Sequence, residues 1–428
     1  MKKTILIILT IFSSCLAQIP APAPQKAILL ENAVIHTLTG SGVQNSHILF
    51  ENGKIIQVGP DISPAGEPER IDLAGRHVYP AMIECASILG LVEIRSVQAM
   101  NDFSEMGSLN PNVRAETAVN GQSSYFAVSR ANGIALAVST PYGDLVAGQS
   151  ALLRMDGWNW QDMTKKAPVS LLINWPWMYV AATKDAEKDK KSQEKINRQI
   201  EKIDSLFQAA AAYQTARNQN SGRFHKYDPR LESLIPVLER QLPVWICAET
   251  LLQIESAVAW AGSYNLSVVI VGGFQADLAA DLLKRENIPV IVTSVLNMPY
   301  RRDSNFDECF GLPGRLFQAG VKFCISNFSS SDARNLPYVA AKAAAYGLPP
   351  QEALKAVTLY PAQILGIDDL VGTLEPGKEA TFMITTGDPL EITTQITDLY
   401  IEGRRIDLDN RHKQLYRKYQ QRYRQMGD

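Results

Sequence analysis

Few side chains in this 428-residue sequence are equipped for chemistry, and they are scattered. The five histidines do not cluster: His36, His47 and His77 fall in the first eighty residues, His225 in a later loop and His412 in the tail. The carboxylates and thiols that stand at the ends of apolar runs are more telling. Glu84 follows Val78-Tyr79-Pro80-Ala81-Met82-Ile83, and strand alternation puts it on one face with Ala86 and Ile88, with Cys85 and Ser87 on the other. Cys247 and Glu249 close the run Val244-Trp245-Ile246-Cys247-Ala248-Glu249. Glu84 and Glu249 could act as an acid–base pair. Cys247 has the nucleophile's chemistry, but no histidine is expected beside it to act as base. Arg301 and Arg302, in Tyr300-Arg301-Arg302-Asp303, suit a carboxylate. Asn327 and Asp332 belong to the polar run Ser326-Asn327-Phe328-Ser329-Ser330-Ser331-Asp332, which has the character of a ligand loop. The plainer alternative is that all of these are ordinary polar residues and a small core cysteine.

Composition narrows the classes. Lys and Arg number 42 against 44 Asp and Glu, the net charge is -2, and apolar residues make up 46%. This is globular composition, with neither the basic excess of a nucleic-acid binder nor the polarity of a disordered chain. Lys2 and Lys3, the apolar run 4–12 and the small residues before Ala17 have the order of a secretory leader. Phe12-Ser13-Ser14-Cys15 also resembles a lipoprotein box, so a leader over 1–17 predicts soluble export to a periplasm or lipidation at Cys15. Neither the leader's apolar run nor any internal one is long enough to span a membrane. Cys85, Cys247, Cys309 and Cys324 show no paired spacing and read as small buried residues.

The positioning elements follow a β, βα, β order. Short strands separated by Gly, Asn and Pro fill 18–79, and Asn52-Gly53 predicts a hairpin turn. From 80 to 367, apolar runs at 133–138, 244–247, 267–271, 288–292 and 321–325 alternate with helical stretches at 249–262, 275–285 and 349–358. Buried strands with helical crossovers predict a parallel sheet, and the length fits a (β/α)8 TIM-like barrel, an α/β fold. The segment 183–217 predicts an inserted charged helix with Ile196, Ile200, Ile203 and Phe207 on one face. Strand patterns return over 368–403. The basic tail 404–428 predicts a helix whose Tyr416, Tyr419 and Tyr423 dock onto the body, with binding of an anionic surface as the alternative.

Two motif sets resemble the amidohydrolase superfamily, in its exported, imidazolonepropionase-like branch. At the front stand Gly53-Lys54-Ile55-Ile56, Ile71-Asp72-Leu73-Ala74-Gly75-Arg76 and Val78 to Glu84. At the far end stand Glu352 to Thr358, Pro361-Ala362-Gln363-Ile364-Leu365-Gly366 and Gly372 to Ala380. The resemblance runs from 27 to about 403. It implies a barrel with a small β-sandwich built from both chain ends, a homodimer by analogy, and one or two metal ions, usually zinc, activating water against a C–N, C–O or P–O bond.

The residues that would hold that metal are not of the right type. The His-x-His pair of the first barrel strand falls on Ala86 and Ile88, the strand-five histidine on Cys247, the strand-six histidine near Gly272-Gly273, and the strand-eight aspartate on Asn327 or Phe328. A substitute set drawn from Glu84, Cys247, Glu249 and Asp332 is the alternative, but metal sites want three or four ligands together. The sequence therefore predicts no metal cofactor. It predicts a nominal hydrolase of non-peptide C–N bonds with weak or no metal-dependent turnover, or a pseudoenzyme that binds a small molecule or a partner. A metal-independent hydrolase using Glu84, Glu249 or Cys247 is the remaining reading.

Overall fold

The computed structural model describes residues 19–39, 43–178, 186–218, 226–299 and 303–427. The leader, Cys15, His225, Arg301 and Arg302 lie outside them. Two sheets organise the chain, each with its own apolar core.

The first sheet joins both chain ends. Its front part is β1 (Ile28–Ile35), β2 (Val43–Glu51), β3 (Lys54–Gly59), β4 (Glu69–Asp72) and β5 (His77–Pro80). The Asn52-Gly53 turn forms between β2 and β3, with both residues at positive φ. The barrel strands follow: β6 (Met82–Ser87), β7 (Ile134–Ser139), β8 (Val146–Arg154), β9 (Thr164–Asn174), β10 (Val244–Ala248), β11 (Val268–Gly272), β12 (Val290–Val292) and β13 (Phe323–Ile325). The chain then returns to the first sheet as β14 (Phe382–Thr385), β15 (Ile396–Ile401) and β16 (Arg404–Arg405). The join is β14 against β5, antiparallel, with Phe382 opposite Pro80 and Ile384 opposite Val78. Phe50, Phe382 and Tyr400 pack as a trio of rings 4.9–5.4 Å apart in this sheet's core.

The second sheet has eight strands in the order β13-β12-β11-β10-β9-β8-β7-β6 and curls into a nearly closed barrel. Its strands are largely buried, and all six residues of β7 are. Each large apolar side chain removed from water there contributes roughly 1.5–3 kcal/mol. The arrangement departs from a uniform parallel barrel at β8, which runs antiparallel to both β7 and β9. Residues 140–145 are too short to carry the crossover that a parallel neighbour needs, so the chain turns straight back.

The seam between β13 and β6 is closed by single bonds and not by a ladder. The Ala86 N–H donates to Ser326 Oγ (2.9 Å) and the Phe328 N–H to the Ala86 carbonyl (3.0 Å). Cys85 and Cys324 are both fully buried here, and the Cys324 thiol is held well above its usual range by burial and a hydrogen bond with Cys85.

The inserted charged segment is a 33-residue helix, Ala186–Asn218. Ile203 and Phe207 are fully buried in it, the Phe207 ring meets Trp260 edge-on at 4.9 Å, and Asp204 accepts from the Tyr264 hydroxyl at 2.6 Å. The tail helix Arg411–Met426 corrects an expectation: residues 411–427 are all exposed, its tyrosines included, so the stripe is not docked on the body. Among the described residues no helix is long and apolar enough to cross a membrane.

Candidate ligand site at the barrel mouth

A cavity of about 270 Å³ opens at the C-terminal ends of β9 to β13, walled chiefly by Trp175, Trp177, Tyr142 and Phe328, with Cys247 and Glu249 among its polar groups. This is the end at which barrel proteins bind small molecules. The local sequence explains the wall. β10 runs into Thr250, which caps the helix Leu251–Ser263 in a reciprocal box with Gln253. Gln253 then ties that helix start to the neighbouring strand end, its Nε2 donating to the carbonyls of Trp175 and Pro176 (both 3.2 Å). One buried glutamine therefore sets the spacing between Glu249 and the tryptophans.

Glu249 points across to β11. Its Oε2 accepts from the Phe274 N–H at 3.1 Å. Its carboxyl lies over Gly272, where a Cβ would come within 2.6 Å of the Glu249 Cδ, and Gly272 itself sits at φ +95. Burial raises the Glu249 carboxyl above its ordinary range, against the lowering effect of the Phe274 N–H. The Cys247 thiol is pushed up by burial first and by the Glu249 charge second, so it stays protonated at neutral pH. Tyr142, whose ring meets Phe328 edge-on at 5.5 Å, is raised by burial, then by Cys247 and Glu249. Behind the wall, the indole N–H of Trp175 and the side-chain oxygen of Asn174 are sealed from solvent with no hydrogen-bond partner among the described residues, while Asn174 Nδ2 donates to the carbonyls of Gly143 and Asp144.

The other sequence candidates are elsewhere. Glu84 is fully buried at the barrel seam, not on this wall. Its Oε1 accepts from the Ser326 hydroxyl and from the Asn327 N–H at 2.7 Å, and its Oε2 from Asn327 Nδ2 at 3.1 Å. Burial still raises it to about 7 against all three donors. The expected pair of Glu84 and Glu249 is thus separated in role: one carboxyl fastens the seam and the other faces the cavity. Asn327 is spent on Glu84, and of the two strand-eight candidates it is Phe328 that lines the cavity. Asp332 is exposed and accepts from Ser329 Oγ at 2.9 Å, and it is not part of this wall. The wall residues not picked out from sequence are Tyr142, Asn174, Trp175, Trp177, Gln253 and Thr293. The available signal was Asn174-Trp175-Pro176-Trp177, a polar and aromatic run immediately after the buried end of β9.

An amidohydrolase family model matches residues 316–406, which hold β13, the helices after it and the return into the first sheet. Together with the barrel and the second sheet built from both ends, this supports descent from the amidohydrolase superfamily. Among curated proteins it is similar to the amidohydrolase tasK of Hapsidospora irregularis, 21% identical over 388 residues, 83% of this chain and 39% of that protein. The chain thus spans about two-fifths of the length of that relative. Among solved structures it resembles an amidohydrolase from Thermotoga maritima (23% identity, TM-score 0.80, 89% of this chain and 99% of that one). It also resembles an adenosine deaminase from Xanthomonas campestris with bound zinc (15% identity, TM-score 0.51, 95% and 99%). At these identities the likeness to solved structures is one of fold.

The superfamily's usual metal does not fit the residues present here. Ala86 and Ile88 at the end of β6 offer no lone pair, and both are buried. Cys247 holds its proton, and the place of a side chain at 272 is filled by the Glu249 carboxyl. At the strand-eight position the cavity meets a phenyl ring. Among the described residues, no three His, Cys, Asp or Glu side chains stand together as a metal set.

Proposed function

We propose that this chain is an exported, imidazolonepropionase-like member of the amidohydrolase superfamily that binds a small uncharged molecule at the barrel mouth without metal-dependent hydrolysis. The observation that carries the reading is the set of replacements along the mouth: Ala86, Ile88, a protonated Cys247 and Gly272 beneath Glu249. The leader-like residues 1–17 support export. The cavity's chemistry supports an uncharged ligand, since no cationic side chain lines it among the described residues and its carboxyl is held toward the neutral form. A cyclic amide would offer its carbonyl to the Glu249 carboxyl, held toward its neutral form, with the rings of Tyr142, Trp175, Trp177 and Phe328 around it.

The test is a panel of hydantoins, imidazolones and related cyclic amides, assayed for turnover with and without added zinc and for thermal stabilisation. The reading predicts no zinc-stimulated turnover and a rise in Tm with at least one cyclic amide, lost in Trp175→Leu. Zinc-stimulated hydrolysis would contradict it. One observation favours a second reading: the raised carboxyl of Glu249 is suited to a general acid. Turnover insensitive to chelator and abolished by Glu249→Gln would establish that metal-independent hydrolysis instead.

A further inference from the structure

We infer that the tail helix Arg411–Met426 is a docking element for an anionic lipid surface. This inference does not depend on what the barrel mouth binds. The helix carries Arg411, Lys413, Arg417, Lys418, Arg422 and Arg424, and no acidic residue occurs between Asn410 and Gly427. At 3.6 residues per turn, Leu415, Tyr416, Tyr419, Tyr423 and Met426 fall within an arc of about 100°. Arg411, Lys418 and Arg422 flank this stripe on one side and Lys413 and Arg424 on the other, beyond Gln420; His412 falls within the stripe, Arg417 pairs with Asp409 at 2.8 Å, and Gln414, Gln421 and Gln425 lie opposite. Every residue of the helix is exposed, Tyr416 at 67% and Tyr423 at 58%. The helix is nevertheless well made. Asn410 caps it by accepting from the N–H groups of His412 and Lys413, and Gly427 ends it in the left-handed conformation.

A helix of 16 residues takes most of its stability from packing an amphipathic face, and among the described residues nothing covers this face. Its chemistry says what covers it. Phosphate headgroups complement the two cationic flanks, and the tyrosine stripe suits the headgroup depth, where amphipathic rings collect. A nucleic acid would satisfy the cations but leave the central leucine, tyrosines and methionine without a matching surface. The position of the helix agrees. The helix Ser124–Arg130 lies against it. From that neighbour, Arg130 pairs with Asp156 at 3.0 Å, Asp156 accepts from the Ala21 N–H at 2.9 Å, and Arg130 also feels the charge of Asp407 at the base of the tail. The chain's first described residues are thus fastened to the body beside the base of the tail helix. A leader held at a membrane would bring the basic face to that same membrane.

The experiment is co-sedimentation of the full chain with vesicles of phosphatidylcholine alone and of phosphatidylcholine with phosphatidylglycerol. The leader, with Lys2 and Lys3, is present in every variant, so the change between the parent and the tail variants reads the tail's contribution. Binding is expected to be about tenfold stronger or more on the anionic vesicles and to weaken steeply with added salt. Arg422→Glu/Arg424→Glu should abolish the preference, and Tyr416→Ser/Tyr419→Ser/Tyr423→Ser should weaken it with the charges intact. Neither variant should shift the Tm, because the helix contacts so little of the body. Equal binding to both vesicles, an unaltered preference in the charge-reversed variant, or binding to an oligonucleotide that survives loss of the tyrosines would each overturn the inference.

Discussion

Two buried carboxyls of this molecule, Glu84 at the barrel seam and Glu249 at the mouth, share one electrostatic feature and differ in another. Burial raises both above the ordinary carboxylate range. Glu84 has both oxygens occupied, by the Ser326 hydroxyl and two N–H groups of Asn327. Glu249 has a single backbone N–H from Phe274 and otherwise looks into a cavity. A raised carboxyl is therefore not by itself the mark of a working group. The number of donors already committed to it separates a fastener from a group free to meet a ligand.

The sharpest break of that comparison is truncation. Glu84→Ala leaves Ser326 and Asn327 facing a void at the one place where the barrel is not closed by a ladder. It should cost about 3 kcal/mol in chemical denaturation. Glu249→Ala loses one acceptor beside an open cavity and should cost less than about 1 kcal/mol while changing ligand binding. Equal losses would erase the distinction. Next in size is pH. The folded state holds the Glu84 proton more tightly than the unfolded chain does. Its contribution is therefore fully present below about 4.5 and lost as pH rises through about 7, on the order of 3 kcal/mol across that window. Glu84→Gln should flatten this part of the stability profile, and Glu249→Gln should leave it in place.

A smaller effect is expected at Gly272. Gly272→Ala imposes a positive-φ penalty and drives its Cβ into the Glu249 carboxyl, about 2 kcal/mol together. In the double variant with Glu249→Ala only the backbone part should remain, a coupling that denaturant titration of the four proteins would read directly. The His36–His77 contact, Nε2 to Nδ1 at 3.0 Å in the first sheet, gives a signal of the opposite sign, reduced by solvent screening because His36 is only partly buried. Burial and the neighbouring His77 lower His36 to about 4. Its contribution is present above about 6.5 and lost as pH falls through about 4, and His36→Gln should remove that loss.

Much of the scaffold was readable because its signals are local. The apolar runs that became β7, β10, β11, β12 and β13 declare themselves within a few residues each, and Asn52-Gly53 declares its own turn. What escaped depends on distance or on direction. β8 is as apolar as its neighbours, and only the short 140–145 connection betrays that it runs backwards. Glu84 reads as a mouth carboxylate until Ser326 and Asn327, some 240 residues later, close on it. Trp175 and Trp177 carry no local signal of a site, which appears only where Gln253 ties their segment to the start of the helix after β10. The tyrosine stripe of the tail has the pattern of a packed face, and pattern alone does not say that it stands exposed.

The central claim is that the mouth of this barrel lacks the donors to keep a catalytic ion, and metal content tests it most directly. The chain should be purified without chelator, dialysed against zinc-free buffer and measured by inductively coupled plasma mass spectrometry. The account predicts far less than one zinc, or any other transition metal, per chain. One tightly held ion per chain, retained through dialysis and lost on substitution of Cys247 or Glu249, would contradict it.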